Sequence, residues 1–247
     1  MGSKLGLIGY PLSHSFSKSF FESKFQKEGL KKMSYENYPL DKIEKVKELL
    51  DNPEILGFNV TIPHKQTIIP FLNELEGAAK KIKAVNTVVK TAKGIIGYNT
   101  DVIGFKNSIL PLLKKEHTNA FIFGTGGSAK AVAYVLDELG ILYTNVSSSG
   151  RSIISYKEIS KELIKEHKLL INCTPLGMGK LISEYPKIPY QAIGENHLCY
   201  DLIYNPEETV FLKKAKMQGA AIKNGKEMLE LQALASWEIW QKERPIS

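Results

Sequence analysis

Apolar and polar positions along the first hundred residues fall into two kinds of run. Short apolar or β-branched stretches read as buried strands: Lys4 to Ile8, Ser34 to Tyr38, and Leu56 to Ile62, the last stopped by Pro63. Amphipathic segments from about Ser17 to Glu28 and from Asp41 to Leu50 read as helices. Strand and helix in alternation predict an α/β unit with a largely parallel sheet. From Ala84 to Gly97 two β-rich runs flank Ala92-Lys93-Gly94, a hairpin-like turn, and a helix is expected from Val102 to Lys114.

The polar stretch Lys114 to Asn119 opens a second series. Ala120 to Phe123 reads as a buried strand, Gly124 to Ser128 as a tight loop, and Ala129 to Leu139 as a helix that Gly140 ends as a left-handed cap. Strands are expected at Leu142 to Val146, Leu169 to Asn172 and His197 to Leu202, and helices at Thr209 to Gln218 and Glu227 to Trp240. There is no internal repeat, low-complexity tract or long linker.

The chain has 247 residues, 43% of them hydrophobic and 24% charged, an ordinary globular make-up. That suffices for one large domain or two modest ones. No run of about 18 apolar residues occurs, so no membrane-spanning helix is expected. The opening residues reach Gly9-Tyr10-Pro11 too soon for a secretory signal. Cys173 and Cys199 sit in apolar, strand-like runs where a thiol acts as a small hydrophobe. A disulfide scaffold is therefore excluded, and a cytoplasmic location is expected. The net charge of +7 comes from 33 basic and 26 acidic residues. The basic residues are scattered over helix-like stretches without interleaved aromatics, the pattern of solvated faces and not of a nucleic-acid surface. His14 and His64 show no metal-ligand spacing, and His117, His167 and His197 are isolated, so no metal site is expected. Trp237 and Trp240, three apart on the last helix, read as packing residues.

The sharpest local signal is Gly124-Thr125-Gly126-Gly127-Ser128-Ala129, which fits G-x-G-x-x-A. In such a loop the first glycine permits a tight turn after a strand, the second lets the backbone approach a pyrophosphate, and the small last residue allows close helix–strand packing. The helix N-terminus attracts the anion. The loop follows a strand and opens a helix, the context that dinucleotide binding requires. An NAD site usually places a carboxylate at the end of the second strand. Here serines, Gly150, Arg151 and Ser152 follow Val146, with no acid until Glu158. Arg151 suits bidentate pairing with a 2′-phosphate, so NADP is the expected cofactor.

Four polar clusters interrupt the apolar runs of the first series. They are Ser13-His14-Ser15-Phe16-Ser17, Asn59 to Lys65, Ala84-Val85-Asn86-Thr87 and Asn99-Thr100-Asp101. Each is expected at the carboxyl end of a strand, where open α/β sheets bind ligands. Seryl hydroxyls suit a carboxylate, Asn86 a sugar-like hydroxyl, and Lys65 with Asp101 proton transfer at an oxygen.

These segments, in order, resemble those of the shikimate dehydrogenase family over nearly the whole chain. Gly9 to Ser17 resembles its G-x-P-x-x-H-S-x-S motif, Phe58 to Lys65 its F-N-V-T-x-P-x-K segment, and Ala84 to Thr87 and Gly97 to Asp101 its A-V-N-T and G-x-N-T-D motifs. Ile171 to Met178, Tyr200 to Pro206, Gly225 to Leu229 and Gln232 also match. The resemblance implies two domains. An N-terminal α/β substrate domain would comprise residues 1–101 plus a C-terminal helix, about 227–247. A Rossmann-like NADP domain would comprise 102–226, with a cleft between the two and hinges near Asp101 and Gly225.

The resemblance also implies roles. Ser15 and Ser17 would hold a substrate carboxylate, and Thr61, Asn86, Asp101 and Gln232 its ring hydroxyls. Lys65 would be the catalytic acid/base, with Asp101 as its partner. Gly124, Gly126, Gly127, Ser128 and Ala129 would cradle the pyrophosphate, and Arg151, flanked by Ser149 and Ser152, would take the 2′-phosphate. Asn172, Thr174, Leu202, Gly225 and Met228 would line the nicotinamide side, and Tyr204 would approach the substrate. The implied activity is reversible NADPH-dependent reduction of 3-dehydroshikimate to shikimate, in aromatic amino-acid (chorismate) biosynthesis, by a monomer or homodimer. The alternatives are a quinate/shikimate dehydrogenase of broader range and a non-catalytic dinucleotide-binding module. Lys18 replaces the family's usual proline, Ser149-Gly150-Arg151-Ser152 replaces Asn-Arg-Thr, and the chain is short for the family.

Overall fold

A computed structural model describes residues 2–12, 16–147 and 154–243. The chain divides into two compact units, Met1–Thr100 with Ala233–Ser247, and Asp101–Gln232. Asp101 and the first turns of the last helix thus fall in the second unit, whereas the resemblance implies that they join the first.

The first unit contains β1 (Ser3–Gly9), α1 (Phe16–Lys27), β2 (Met33–Pro39), α2 (Val46–Asp51), β3 (Ile55–Val60), β4 (Glu74–Leu75), α3 (Ala78–Ile82), β5 (Thr87–Thr91) and β6 (Gly94–Tyr98). The helix expected from Asp41 begins instead as a tight 3-10 turn at Ile43–Lys45 and becomes α-helical only at Val46. The six strands run in the order β2-β1-β3-β5-β6-β4. The sheet is mixed: β1, β2 and β3 are parallel, and β5 is antiparallel to both β3 and β6. The β5–β6 pair is antiparallel because the hairpin at Ala92-Lys93 reverses the chain in one turn, where a parallel connection would need a crossover of about a dozen residues.

One face of this sheet is covered by aromatic packing. Phe21 stacks on Tyr35 at 4.7 Å between ring centres and lies 5.4 Å from Trp240. Trp240 is buried, and its indole N–H donates to the Val88 carbonyl at 2.9 Å. Gly57 makes room for that indole, since a Cβ there would collide with Trp240 and the Val88 carbonyl. Burying side chains of this size contributes roughly 1.5–3 kcal/mol each, so Trp237 and Trp240 are packing residues, as their spacing predicts.

The second unit contains α4 (Asp101–Ile109), β7 (Asn119–Phe123), α5 (Gly127–Glu138), β8 (Leu142–Val146), α6 (Lys161–Glu166), β9 (Leu169–Asn172), β10 (Leu198–Asp201), α7 (Val210–Lys216), β11 (Ala221–Lys223) and the beginning of α8 (Lys226–Glu243). Pro111 ends α4 sooner than expected, because it supplies no N–H to continue the ladder. Gly140 follows α5 with φ +69°, the expected left-handed position. The five strands are all parallel, in the order β11-β10-β9-β7-β8. Their core gathers Phe121, Phe123, Leu170, Cys199 and Phe211. His167 stacks on Phe121 at 3.8 Å, and the His197 ring is engaged within its own unit, at the Gly194 backbone and the Ile164 carbonyl. Both cysteines are free thiols. No helix among the described residues is long and apolar enough to cross a membrane.

Candidate functional site

Strand register gathers the polar clusters of the first unit along one sheet edge. Ile8 pairs with Val60, Asn59 with Thr87, and Thr87 with Tyr98. The carboxyl ends of β1, β3 and β6 and the amino end of β5 therefore share that edge. One expectation from sequence is corrected here: Asn86 precedes β5 and does not follow a strand. It reaches the common edge because β5 runs antiparallel to its neighbours.

Beneath that edge lies a continuous buried polar network. Burial keeps the Tyr35 phenol protonated; it donates to Asn59 Oδ1 at 2.8 Å and is hydrogen-bonded to the Ser17 side chain. Asn59 Nδ2 donates to Ser236 Oγ at 2.9 Å and lies 3.2 Å from Thr87 Oγ1 and from the Asn86 carbonyl. Ser236 Oγ lies 2.8 Å from Thr87 Oγ1 and 3.1 Å from Thr100 Oγ1. Asn86 closes the network: its Oδ1 accepts from the Thr100 backbone N–H at 2.7 Å, and its Nδ2 donates to Thr100 Oγ1 at 2.9 Å. Asn99 Nδ2 donates to the Ala84 carbonyl at 2.9 Å, which ties the loop before β5 to the residues after β6. A buried amide left unpaired costs about 1–3 kcal/mol, so these interlocking bonds fix side-chain orientation as well as position.

The loop after β3 carries Thr61 and Lys65, both half-buried. The Thr61 N–H donates to the Ile8 carbonyl at 2.9 Å, and the Lys65 carbonyl accepts from the Val85 N–H at 2.7 Å. His64 is buried between them, with Nε2 2.7 Å from the Leu40 carbonyl and Nδ1 3.2 Å from Thr67 Oγ1. It pins the Lys65 loop to the chain after β2. Lys18, where the resemblance expects proline, lies in α1 and pairs with Glu36 of β2 at 2.9 Å.

In the second unit the strand order reverses between β7, which turns to β8, and β9, which leads on to β10. Open α/β sheets bind ligands at such a switch point. Gly124 follows β7 with φ +110°, and a Cβ on it would press within 3.2 Å of the Cys173 carbonyl. The loops after β7 and β9 are thus in contact. Gly126 is exposed and caps α5, and a Cβ there would meet nothing within 4 Å. Ser128 is half-buried in the first turn of α5, and Ala129 is buried. An open backbone cradle at the start of a twelve-residue helix fits a pyrophosphate.

The loop after β9 is shaped by Asn172. Its Oδ1 accepts from the Thr174 N–H at 3.1 Å and from Thr174 Oγ1 at 2.6 Å. Its Nδ2 donates to the Leu176 carbonyl at 3.2 Å and to Asp201 Oδ1 at 3.0 Å. Asp201 is fully buried, and burial lifts its carboxyl to about 6, against the opposing pull of hydrogen bonds from Thr209, the Ile203 N–H and Asn172. Burial likewise pushes the Cys173 thiol well up. Gly225 lies against the Leu202 carbonyl so closely that no side chain fits, and its N–H donates to the Ile203 carbonyl at 3.0 Å. Met228 is buried, and Tyr204 and Leu202 are half-buried. Gln232 is buried, with its amide donating to the Leu229 carbonyl at 2.9 Å. Asp101 is buried in the first turn of α4. Among the described residues no cluster of His, Cys, Asp and Glu could hold a metal.

Ser15, Ser149, Arg151 and Ser152 lie outside the described residues. Asn59, Thr87, Thr100, Ser236 and Asp201 carry the networks but received no role from sequence. Their signal was a polar residue at the end of an apolar strand, as Asn59 is between Phe58 and Val60. Ser236 had only its place one helical turn after Gln232.

Comparison with known proteins points to one family. Residues 7–88 match the family model described as the shikimate dehydrogenase substrate binding domain. The chain is 36% identical to the shikimate dehydrogenase (NADP(+)) of Desulforamulus reducens, over 95% of this chain and 88% of that protein. It superposes on the shikimate dehydrogenase of Aquifex aeolicus with TM-score 0.87 and 31% identity, covering 100% of this chain and 95% of that one. The shikimate 5-dehydrogenase of Thermus thermophilus, solved with NADP(H) and shikimate, gives TM-score 0.85 and 27% identity over 97% and 94% of the two chains.

Proposed function

The chain belongs to the shikimate dehydrogenase family, and on that premise we propose how its residues carry out the reversible NADPH-dependent reduction of 3-dehydroshikimate to shikimate. The observation that carries the reading is the shared edge of the first sheet, where the Lys65 loop, Thr61 and Asn86 stand over one buried network. A rigid scaffold of this kind suits orientation of a small polyhydroxylated acid.

NADPH, when bound, supplies the hydride. Gly124, Gly126, Gly127, Ser128 and Ala129 would hold its pyrophosphate at the start of α5, and Arg151 its 2′-phosphate. Asn172 would shape the nicotinamide side through Thr174, together with Leu202, Gly225 and Met228. Ser15 and Ser17 would hold the substrate carboxylate. Thr61, Asn86, Asp101, Gln232 and Tyr204 would hold its ring. Lys65, as an ammonium, gives its proton to the ketone oxygen as the carbon becomes an alcohol, and stabilises the alkoxide as charge develops. In the reverse direction the neutral amine takes the hydroxyl proton back. Asp101 would orient that amine. A cytoplasmic location and a monomeric or homodimeric state complete the proposal.

The test is an absorbance assay at the nicotinamide band, with shikimate or quinate as substrate and NADP or NAD as oxidant. Rapid NADP reduction with shikimate alone is the expected result. Comparable turnover with NAD or quinate replaces the reading with a broader dehydrogenase. A folded protein that binds NADP and turns over none of these pairs overturns catalysis altogether.

A further inference from the structure

We infer that Ser236 is a positioning residue for the substrate, acting by locking the amide of Asn86 in one orientation. The inference rests on the reading in which Asn86 meets the substrate ring. Ser236 lies on α8, fully buried, with its hydroxyl within hydrogen-bond reach of groups from three strands or their ends. Asn59 at the end of β3 is 2.9 Å away, Thr87 at the start of β5 is 2.8 Å away, and Thr100 just after β6 is 3.1 Å away.

Counting protons limits the directions this network can take. Asn59 Nδ2 can only donate, so Ser236 Oγ accepts from it. Asn86 Oδ1 can only accept, and it takes the Thr100 backbone N–H at 2.7 Å, with the Thr87 and Thr100 hydroxyls each 3.1 Å away. Thr87 has one proton, and when it is directed at Asn86 Oδ1 the proton of the Ser236–Thr87 bond comes from Ser236. Thr100 Oγ1 accepts from Asn86 Nδ2 at 2.9 Å and has two acceptors within reach of its own proton, Ser236 Oγ and Asn86 Oδ1, each at 3.1 Å. In that arrangement Ser236 accepts from Asn59 and gives its proton to Thr87, which fixes the Thr87 hydroxyl on the Asn86 oxygen.

An amide that flipped would set Nδ2 against the Thr100 N–H and the Thr87 proton, donor facing donor. The relay therefore assigns the oxygen of Asn86 inward and decides that Asn86 presents N–H character toward its ligand. Without the Ser236 hydroxyl, Thr87 is released to turn its proton elsewhere, and the Asn86 oxygen loses one of the three groups placed to donate to it. Ser236 touches no ligand in this scheme; it acts through Thr87 and Asn86.

The experiment measures KM for shikimate, KM for NADP and kcat in Ser236→Ala, Asn86→Ala and the double variant of the full-length protein. A lost orienting hydrogen bond corresponds to roughly a five- to tenfold effect. Ser236→Ala is expected to raise the shikimate KM by that factor, with the NADP KM unchanged and kcat within about threefold. The double variant is expected to have the shikimate KM of Asn86→Ala, because the serine has nothing left to orient. Thr87→Val, which keeps the side-chain shape but cuts the relay one link nearer Asn86, carries the same expectation should Ser236→Ala fail to fold. An unchanged shikimate KM in folded Ser236→Ala, or effects of the two single changes that multiply in the double variant, overturns the inference and leaves the substrate site standing. An unchanged shikimate KM in Asn86→Ala overturns the site reading, and the inference falls with it.

Discussion

The Asn172 amide donates to the buried Asp201 carboxylate across 3.0 Å, which joins the end of β9 to the end of β10. The same carboxylate accepts from Thr209 at 2.6 Å, and Thr209 Oγ1 caps α7 by accepting from the Leu212 N–H. One buried acid therefore ties the candidate nicotinamide loop to the helix that follows β10.

That acid makes stability depend on pH. Burial raises its folded value to about 6 from an unfolded value near 3.8, so the folded chain retains a proton that the unfolded chain has released. The stabilisation this gives is fully present below pH 3.8 and is lost as pH rises through about 6. The shift corresponds to about 3 kcal/mol in total, of which roughly 2 kcal/mol is lost between about pH 4.5 and pH 7.5. Urea unfolding at those two pH values should show this loss in the native protein and a smaller one in Asp201→Asn. Equal losses in the two proteins would refute the assignment.

Lys65→Met should fold normally, because the contacts that hold its loop come from the Lys65 backbone carbonyl and from His64. Its turnover should fall by about 100- to 10,000-fold, the usual contribution of a general acid. Its shikimate KM should change far less. A large loss of substrate affinity at normal turnover would assign Lys65 to binding instead.

Gly126→Ala and Gly124→Ala should separate function from stability. At Gly126 the backbone is ordinary, with φ −75°, and the space around a Cβ is empty. The alanine should leave the melting temperature within about 2 °C while raising the NADP KM, because a methyl group would occupy the pyrophosphate cradle. At Gly124, with φ +110°, the alanine is strained and faces the Cys173 carbonyl, so thermal stability should fall as well. Thermal unfolding with and without NADP reads both effects.

Trp240→Phe removes the hydrogen bond to the Val88 carbonyl and leaves that buried acceptor without its indole donor. The expected cost is about 1–3 kcal/mol in chemical unfolding, with kcat unchanged. A loss of activity without a loss of stability would mean that the indole does more than pack.

Much of the fold was legible locally. The apolar runs marked the central strands of both sheets, such as β3, β7 and β9, because burial on both faces demands uninterrupted hydrophobic residues. The elements that escaped notice are short: β4 has 2 residues, β11 has 3 and α3 has 5, too few to show a period. β4 exists because Glu74 and Leu75 find a partner strand in β6, a contact that no local pattern announces.

The candidate cofactor loop was readable because its chemistry is local. Glycines, a small residue and a helix start lie within six consecutive positions, from Gly124 to Ala129. The candidate substrate edge was readable as a set of polar clusters, but not as an edge. Asn86 sits before a strand, and only the antiparallel course of β5 carries it to the ends of β1, β3 and β6. The sequence by itself determined which residues could do chemistry, since hydroxyl, amide, amine and carboxylate groups are fixed by residue type. Tertiary structure alone decided which of them orient the others. Ser236 reaches Asn59 across 177 positions of chain, and such a contact depends on how strands and helix pack and not on any signal near either residue.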